Sequence, residues 1–337
     1  MSLGWIALVA AVAAASWALW EGRQRRTHAM PGGLCADIAL PHQAEFELYH
    51  NALSLCSKKT RLCLAELGIE YRAHHVHLIE TGAYETLGRD FLRVNPAGTV
   101  PVLVHRGHPV YESHEQIRYA AEHAPASAPS LVPEDPAARA EMQVWVDRAS
   151  TVGDDPIANA RESAGNAAPG LTVPLFAAMI DDIAVRRILE GLLFHRLKIR
   201  PLLFLLLKAT GLHRLHRNGR VVAVIGRCGR AMHRHLDALE EQLEKTGGPW
   251  ILGDGFTLAD VSWAVILERL REGDSLHVFT GGGARPGVTA YWERLQARPS
   301  YRAAIVDHGH PTIERGIRRL RAAKDADPAL RAALEEF

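Results

Sequence analysis

A short polar segment, Ser54-Leu55-Cys56-Ser57, carries residue types suited to thiol chemistry. It follows a strand-like run and comes directly before a helix-like run. At such a junction the unpaired backbone N–H groups and the positive end of the helix dipole stabilise a thiolate or another anion. Because Lys58 and Lys59 follow at once, we expect Cys56 to ionise readily and to act as a nucleophile at neutral pH.

The elements around this segment alternate between strand and helix. Phe46 and Leu48 point to one face of a first strand, and a helical stripe follows, made of Thr60, Cys63, Leu64 and Leu67 and ended by Gly68. The next segments predict a strand at 71–78, a helix-capable region up to 93, strands at 100–104 and 110–111, and a helix from 113. In that last helix Ser113 and Gln116 have the spacing of a capping box. Pro101 is the second residue of its strand, and a proline there is tolerated at a sheet edge or with a cis peptide bond. The order of strands and helices as a whole predicts an α/β domain.

Three motifs in this order resemble the glutathione transferase family: Ser54-Leu55-Cys56-Ser57, Asn95-Pro96 through Val100-Pro101-Val102-Leu103, and Glu112-Ser113 followed by Ile117. The resemblance covers most of residues 46–306 and implies an α/β thioredoxin-like domain followed by an all-α C-terminal domain. Within the family, the first motif is most similar to the zeta class, and especially to the tetrachlorohydroquinone reductive dehalogenases, whose cysteine is the redox nucleophile. Zeta enzymes usually carry a second serine where this chain has Leu55, and this difference argues against zeta-type isomerase activity.

The resemblance implies two catalytic residues and leaves two mechanisms open. Ser54 matches the family serine whose hydroxyl donates to the glutathione thiolate, and Cys56 matches the nucleophile of the cysteine-using members. In the serine mechanism, Ser54 stabilises the thiolate of glutathione while it attacks an electrophilic carbon. In the cysteine mechanism, Cys56 attacks the sulfur of a glutathionyl adduct, and a second glutathione resolves the mixed disulfide.

The resemblance also implies a binding site for glutathione, which would be the co-substrate. Val100, just before Pro101, would offer its backbone to the cysteinyl part of the tripeptide as an added strand does. Glu112 and Ser113 would hold the γ-glutamyl end, with its carboxylate at the N-terminus of a helix. The family further implies a homodimer, and the second substrate would be an apolar electrophile whose identity the variable helical domain sets.

Composition and cysteine spacing narrow the function classes. The 337 residues carry a formal net charge of +1, which gives no general attraction to nucleic acid. Cys35, Cys56, Cys63 and Cys228 form no CxxC pair, so we expect reduced thiols rather than disulfides. We expect Cys63 to be a buried apolar side chain, because it lies on the helical stripe. Among His74, His75 and His77, only the last two share a strand face, and without a carboxylate or cysteine ligand we predict no metal site.

The N-terminus predicts a membrane anchor. Leu3 to Trp20 contains no charged residue, and its 18 residues would span about 27 Å as a helix, enough for a bilayer core. Tryptophans lie near both ends, and three arginines follow at positions 23, 25 and 26. The positive-inside rule then predicts a single-pass protein whose body is cytoplasmic. A cleaved signal peptide is the alternative, but the chain has no basic residue before the apolar run and no clear cleavage site.

The chain divides into six predicted parts. They are a membrane anchor with a basic flank at 1–26, a linker at 27–44, the thioredoxin-like glutathione-binding domain at 45–124, a Pro- and Ala-rich linker at 125–133, an all-helical domain at 134–310 and a charged tail at 311–337. Within the helical domain, 136–152 predicts a helix and 154–169 a loop. Thr257 and Asp260 have capping-box spacing, with Phe256 and Val261 as a hydrophobic staple, and loss of that cap should cost about 1 kcal/mol.

A basic, apolar insertion at 165–230 is the least family-like part of the chain. From Arg186 to Arg230 it holds eleven Lys or Arg and one acidic residue, Glu190, around the apolar runs 188–194 and 202–207. Basic residues around Leu and Phe clusters are typical of a surface lying on anionic lipid. A helix pair packed into the domain with a solvated basic face is equally consistent with the pattern.

These observations support one functional hypothesis and one alternative. The hypothesis is a membrane-anchored glutathione transferase that conjugates, reductively dechlorinates or deglutathionylates apolar electrophiles; a glutathione-dependent peroxidase or thiol transferase would differ only in its electrophile. The alternative is a catalytically silent transferase-fold protein that serves as a membrane adaptor or lipid sensor. The long insertion resembles that of the ganglioside-induced differentiation-associated proteins, which favours the alternative. The presence of Ser54, Cys56, Pro101, Glu112 and Ser113 favours the enzyme.

Overall fold

The computed structural model describes residues 3–153, 155–195 and 197–337. Its first element is helix α1, Leu3–Gln24. Within the described residues, one single helix, Gly4–Gln24, is long and apolar enough to cross a membrane, and only 6% of its apolar window is buried. A signal sequence has the same length and composition, so α1 fits either role. Met1 and Ser2 of the predicted anchor, Asp154 of the predicted loop and Arg196 of the basic insertion lie outside the described residues.

The N-terminal domain is a five-stranded mixed sheet with helices on its faces. Its strands are β1 (Gly33–Leu34), β2 (Phe46–His50), β3 (Arg72–His75), β4 (Val102–His105) and β5 (His108–Tyr111), in the spatial order β1-β5-β4-β2-β3. β2 and β3 are parallel, and the other pairs are antiparallel. Its helices are α2 (Leu55–Glu66), α3 (Arg89–Val94) and α4 (Ser113–Glu122). This arrangement confirms the predicted α/β thioredoxin-like domain.

Two predicted segments of this domain differ in the structure. The strand predicted at 71–78 ends at His75, because the chain then turns into two 3₁₀ turns, Ile79–Thr81 and Glu85–Leu87. The linker predicted at 27–44 does not hold the domain away from α1. It contributes β1, and the N–H groups of Cys35 and Leu40 donate to the carbonyls of Pro109 and Gly107 at 2.9 and 2.7 Å. This segment therefore runs along the edge of the sheet.

The second domain is entirely helical within the described residues, as predicted. Its helices are α5 (Pro136–Arg148), α6 (Ala164–Met179), α7 (Val185–Phe194), α8 (Ile199–Thr210), α9 (Gly219–Thr246), α10 (Leu258–Glu272), α11 (Leu276–Thr280), α12 (Pro286–Gln296), α13 (Pro299–Tyr301), α14 (Pro311–Ala326) and α15 (Pro328–Glu335). A π-helical turn, Arg302–Val306, follows α13. The loop predicted at 154–169 is wrong in its second half, because Ser163 accepts a hydrogen bond from the N–H of Asn166 and starts α6 there.

Helix α10 is the centre of the second domain and packs on α2, α5 and α6. Trp263 is fully buried, and its indole N–H donates to the carbonyl of Trp145 at 3.1 Å. Thr257 and Asp260 form the predicted capping box. The Asp260 carboxylate accepts from the Thr257 N–H at 2.8 Å and also from the Tyr291 hydroxyl at 3.0 Å. A cap of this kind fixes where the helix starts and ties it to α12.

Candidate functional site

Ser54 lies at the N-cap of α2, in extended backbone conformation. Its hydroxyl oxygen accepts a hydrogen bond from the N–H of Ser57 at 3.2 Å and lies 3.5 Å from the carbonyl oxygen of Val100, to which it can donate. An N-cap serine is a local choice of the sequence, since it satisfies an N–H group that the first helical turn leaves unpaired. The structure thus brings together Ser54 and Val100, two residues predicted to share a site.

Cys56 is the second residue of α2 and is partly exposed. The first turn of a helix presents free N–H groups and positive potential, so the position suits a thiolate. The other thiols differ in kind. Burial raises the pKa of Cys35, Cys63 and Cys228, which favours their protonated form. Cys63 is fully buried on the apolar stripe, as predicted.

The peptide bond between Val100 and Pro101 is cis, one of the two arrangements that the sequence allows. The buried side chain of Gln116, which the sequence predicted to be part of a capping box, holds this turn. The amide nitrogen of Gln116 donates to the carbonyls of Pro101 and Val110 at 3.0 and 2.9 Å, and its amide oxygen accepts from the Thr60 hydroxyl at 2.8 Å. Gln116 therefore joins the cis turn to both α2 and α4.

The predicted capping box of Ser113 and Gln116 is wrong. The N-cap of α4 is Glu112, whose side chain makes no capping hydrogen bond, and Ser113 is already the first helical residue. Glu112 has φ +64° and ψ 122°, a conformation that a glutamate seldom adopts and that is frequent at binding sites. Its side chain is exposed while Ser113 is buried, so the first turn of α4 is open on the side of Glu112.

The two adjacent lysines of α2 have different partners. The Lys58 ammonium is buried and forms an ion pair with Glu272, and it lies 3.5 Å from a carboxylate oxygen of Glu268. The equally buried Lys59 ammonium donates to the Ser150 hydroxyl at 3.0 Å. Across residues 3–153, 155–195 and 197–337, no carboxylate lies within 4.0 Å of it. The expectation that both lysines act on Cys56 is therefore corrected, because the charge of Lys58 is neutralised by α10.

The charge of Lys59 remains available to the site. Burial lowers the pKa of Lys59, and negative charge on Cys56, Asp147 and Glu112 opposes this shift. Cys56 and Glu112 are two of the predicted site residues, so the Lys59 ammonium contributes positive potential to them. A buried cation with only a hydroxyl partner is costly unless an anion accompanies it. Sequence reasoning identified Lys59 but could not separate it from Lys58.

Helix α10 also positions the segment that precedes Ser54. The guanidinium of Arg269 donates to the carbonyl of Leu53, one residue before the N-cap. Glu268 lies beneath this contact. Burial raises its pKa, but Lys58, Arg271 and the Tyr301 hydroxyl outweigh burial and hold that pKa at about 2. The Glu268 carboxylate thus stays ionised, and its contact with Lys58 helps to fix α2 against the helical domain.

A cluster of five histidines lies at the C-terminal end of β2. It joins the sheet edge to the segment between α13 and α14 and consists of His50, His75, His77, His308 and His310. The rings of His75 and His77 are in contact, with centroids 4.6 Å apart, but not as predicted on one strand face, because β3 ends at His75. Burial and the neighbouring Arg61 lower the pKa of His50 to about 3 and that of His308 to about 4. In the described part of the chain, no group of three or more His, Cys, Asp or Glu side chains is arranged to hold a metal ion.

Two family models match the chain. The first is described as the glutathione S-transferase N-terminal domain and matches residues 53–123. The second is described as the glutathione S-transferase C-terminal domain and matches residues 223–335. Together they span more than half of the 337 residues. Every candidate site residue from Ser54 to Ser113 falls in the first range, whereas α5 to α8 fall between the two ranges.

Individual relatives match over most of the chain. A tetrachloro-p-hydroquinone reductive dehalogenase from Sphingobium chlorophenolicum is 25% identical over 263 residues, which cover 78% of this chain and 96% of the relative. The glutathione S-transferase TCHQD of Arabidopsis thaliana is 27% identical over 270 residues, covering 77% and 89%. The solved structure of beta-etherase LigF from Sphingobium sp. strain SYK-6 matches with a TM-score of 0.63 at 23% identity, covering 78% of this chain and 100% of that one. At that identity the likeness shows the fold.

Proposed function

The chain belongs to the glutathione S-transferase family, and from that premise we propose that it is a membrane-anchored glutathione transferase that uses Cys56 to reduce glutathionyl adducts of apolar electrophiles. The observation that carries this proposal is the meeting of two helix N-termini at one cis turn. The N-cap hydroxyl of α2 lies against Val100, and Gln116 of α4 is bonded to Pro101. Such an arrangement can hold an anionic tripeptide along its whole length.

We place glutathione across this turn. Its cysteinyl backbone would pair with the backbone of Val100, in the manner of a short added strand. Its γ-glutamyl carboxylate would lie at the first turn of α4, where Ser113 and free N–H groups can donate, while Glu112 would accept from the α-ammonium group. The thiol would then lie near the N-terminus of α2, within reach of Ser54.

The chemistry requires two glutathione molecules for each chlorinated substrate. In the first step, the glutathione thiolate, stabilised by the Ser54 hydroxyl, forms a C–S bond and chloride leaves. In the second step, the Cys56 thiolate attacks the sulfur of that adduct; the C–S bond breaks, the carbon keeps the electron pair and takes a proton, and a Cys56–glutathione disulfide forms. A second glutathione thiolate attacks this disulfide, releases oxidised glutathione and restores Cys56.

Lys59 would supply the positive charge that each of these steps needs. Both the glutathione thiolate and the Cys56 thiolate are anions, and the ammonium of Lys59 has no carboxylate partner within the described residues. A cation near a thiol favours its ionised form. Because this ammonium has no carboxylate within ion-pair distance among the described residues, binding of an anionic thiol would remove part of the cost of burying Lys59.

The class of electrophile is proposed from the relatives. One of them is named for reductive dehalogenation of tetrachloro-p-hydroquinone, which makes a halogenated aromatic a reasonable first substrate to assay. We further propose that α1 anchors the protein by a single span with its body in the cytoplasm, because arginines follow the apolar run directly. A homodimer, the common state of the family, is proposed on the same basis.

The test is glutathione binding by calorimetry to the full chain in detergent. Glu112→Ala should lose most of the binding, whereas Glu122→Ala, an exposed carboxylate at the far end of the same helix, should bind normally. Cys56→Ser should keep binding and conjugation but stop release of the dechlorinated product and of oxidised glutathione. If Cys56→Ser leaves dechlorination intact, the redox role of Cys56 is wrong and Ser54 carries the reaction alone.

The membrane adaptor remains the second candidate. The exposed apolar surface of α1 and of the hairpin formed by α7 and α8 favours it, since a transferase does not need that surface for its chemistry. The two candidates make opposite predictions for the same titration. Absence of binding at millimolar glutathione in the unmodified chain would exclude the enzyme and leave the adaptor.

A further inference from the structure

Exposed apolar side chains concentrate in two parts of the molecule. Among the described residues, twenty large apolar side chains are exposed; eight belong to α1 and eight to the segment 185–206. Single exposed apolar residues are ordinary on a soluble protein, but a contiguous group marks a surface that another phase or partner covers. The segment 185–206 therefore needs an explanation that its own fold does not provide.

Helices α7 and α8 form a hairpin with an inner and an outer apolar face. Its inner face is buried and includes Ile188, Phe194 and Phe204. Gly191 permits the close approach, because a Cβ there would lie 3.0 Å from Pro201 and 2.7 Å from the ring of Tyr84. The outer face consists of Leu189, Leu193, Ile199, Leu202, Leu205 and Leu206, which are 40–73% exposed. A helix that is apolar on both sides buries one side in protein and requires a second apolar environment for the other.

The hairpin is joined to the base of α1. Trp17 packs edge-on against Phe194, with ring centroids 6.2 Å apart. Arg25, just beyond α1, lies over the same ring and forms an ion pair with Glu190 of α7 at 2.8 Å. The exposed leucines thus begin where the candidate membrane span ends. Helices α1 and α7 are therefore in direct contact at this end of the candidate span.

The charges around the hairpin indicate that lipid, rather than a protein partner, covers its exposed apolar face. Residues 185–210 contain six Lys or Arg and one acidic residue, Glu190, which is already paired with Arg25 and Arg187. Arg186 and Lys198 are exposed beside the leucines. Leucines that insert into the headgroup region, flanked by cations that meet anionic headgroups, are the pattern of an interfacial helix rather than of a protein–protein contact.

We infer that the α7–α8 hairpin is a membrane-docking surface that lies in the anionic leaflet at the foot of α1. This inference extends the proposed anchoring by α1 but depends on different residues. It also specifies where the electrophile comes from. Gly191 packs on Tyr84, and the backbone of Thr86 lies 3.1 Å from the place where a Cβ of Gly98 would be, two residues before Val100. The lipid surface and the glutathione site are therefore connected by one packed segment, which favours substrates dissolved in the bilayer.

The experiment measures the depth of one residue in the full chain reconstituted into vesicles. A nitroxide spin label is attached at Leu205→Cys, in a background with Cys35→Ser and Cys56→Ser, and its collisions with oxygen and with a water-soluble nickel chelate are compared. The control is Val144→Cys, which is also an exposed apolar position but lies on α5. The vesicles are phosphatidylcholine with or without phosphatidylglycerol.

Three outcomes are possible. The expected result is that oxygen but not nickel reaches position 205, that nickel reaches position 144, and that phosphatidylglycerol strengthens the exclusion of nickel at position 205. Equal access of nickel to both positions overturns the proposal. Exclusion of both reagents at position 205 also overturns it, because it means that protein, such as a second copy of the chain, covers the hairpin.

A second variant separates this proposal from the proposed enzyme. Leu202→Glu/Leu205→Glu, combined with a label at position 206, should return the label to water, and the exposed positions should let the protein fold. In the otherwise unmodified chain this pair of changes should leave calorimetric glutathione binding within about twofold of its original value. If the label at position 205 is not immersed in the chain without the Glu changes while the unmodified chain still binds glutathione, the hairpin proposal alone is refuted. Immersion without any glutathione binding refutes the enzyme alone.

Discussion

Helix α10 and the α7–α8 hairpin are both rich in apolar residues, but they bury those residues in opposite ways. All residues of α10 except Arg271 are buried, including its charged ones. In the hairpin only the inner face is buried, and the leucines of the outer face are exposed. The polar groups show the same contrast, because Asp260 and Glu268 have partners inside the protein while Arg186 and Lys198 face outward.

The contrast teaches that the partners of the polar groups, rather than apolar content, show whether a helix belongs to the interior. A buried charge requires an internal partner, since leaving it unpaired costs several kcal/mol. Glu268 and Glu272 are paired with Lys58 and the arginines of α10 itself. In the hairpin, Arg187 and Arg200 are paired with Glu190 and Glu80, whereas Arg186 and Lys198 are exposed and form no ion pair within the described residues.

The sharpest way to break the interior helix is Asp260→Ala. The carboxylate accepts from the N–H groups of Ile251 and Thr257, from the Thr257 hydroxyl and from the Tyr291 hydroxyl. Removing it leaves these buried donors unpaired at about 1–3 kcal/mol each, so we expect a loss of about 4 kcal/mol or more in the free energy of unfolding. Urea unfolding followed by circular dichroism measures this, and Asp260→Asn, which keeps one acceptor, should lose clearly less.

The two adjacent lysines provide the next test. Lys58→Met leaves Glu272 and Glu268 buried with one cation fewer and should destabilise the fold by about 3 kcal/mol. Lys59→Met removes a cation that has no carboxylate partner in the described residues, so stability should hold. It should instead lower kcat/KM for glutathione about tenfold, the equivalent of about 1.4 kcal/mol of thiolate stabilisation. Urea unfolding and steady-state kinetics on both variants check the contrast; equal effects on stability and rate would contradict the assigned roles.

Lowering the pH should reduce the stability of the protein interior but should not weaken the binding of the hairpin to lipid. The pKa of His50 is lowered to about 3 in the fold, so the unfolded chain binds more protons below pH 6.5 and stability must fall as pH falls from 6.5 towards 3. Between pH 6.5 and 5 this amounts to about 2 kcal/mol. Burial raises the pKa of Asp260 to about 6. Because the folded chain then binds more protons than the unfolded chain, this group makes the fold more stable as the pH falls from 6 towards the ordinary aspartate pKa, which is opposite to the effect of His50.

The control for this pH dependence is His50→Gln, in which the Asp260 contribution is unchanged and cancels. Urea midpoints at pH 6.5 and at pH 5 should differ less in this variant than in the unmodified chain. Gln can still accept from Arg61, which donates to the ring nitrogen of His50 at 3.0 Å. Vesicle association over the same pH range should not weaken, since the Arg and Lys side chains of the hairpin keep their charge. An identical pH slope in both proteins would show that His50 does not carry the effect.

The smallest effect is expected on the hairpin itself. Leu205→Ser replaces a side chain that is 41% exposed and on the outer face, so the free energy of unfolding in detergent should change by no more than about 0.5 kcal/mol. Urea unfolding in the same detergent as for Asp260→Ala gives a direct comparison. A loss of about 2 kcal/mol or more would mean that protein buries Leu205, and the contrast with α10 would then disappear.

Short-range patterns in the sequence predicted the parts of this structure that depend on local chemistry. Ser54 is the N-cap of α2, and Thr257 with Asp260 forms the capping box of α10, because each cap involves residues only three apart. The α/β class of the first domain and the chain order of β2 to β5 followed from alternation and turn residues, whereas the thioredoxin-like and all-helical assignments came from the family resemblance. The roles of Ser54, Cys56 and Glu112 toward glutathione remain predictions that the binding experiment tests.

Long-range contacts account for what the sequence could not predict. The partner of Lys58 lies 214 residues away and that of Lys59 lies 91 residues away, so adjacent lysines of identical type acquired different roles. Ser113 and Gln116 have capping spacing, but the left-handed conformation of Glu112 moves the cap by one residue and frees Gln116 to bind the cis turn. The strand β1 has only two residues, too few for any periodicity to be seen.

Residues 33–40 are hydrogen-bonded along the edge of the sheet, and this attachment has a kinetic consequence. With α1 in a bilayer, so little chain is left free to bend that the glutathione site stays at nearly constant height above the lipid. An enzyme held in this way searches for substrate in two dimensions, and its rate follows the number of substrate molecules per unit area of membrane. Adding empty lipid at constant enzyme and substrate should then slow turnover through surface dilution.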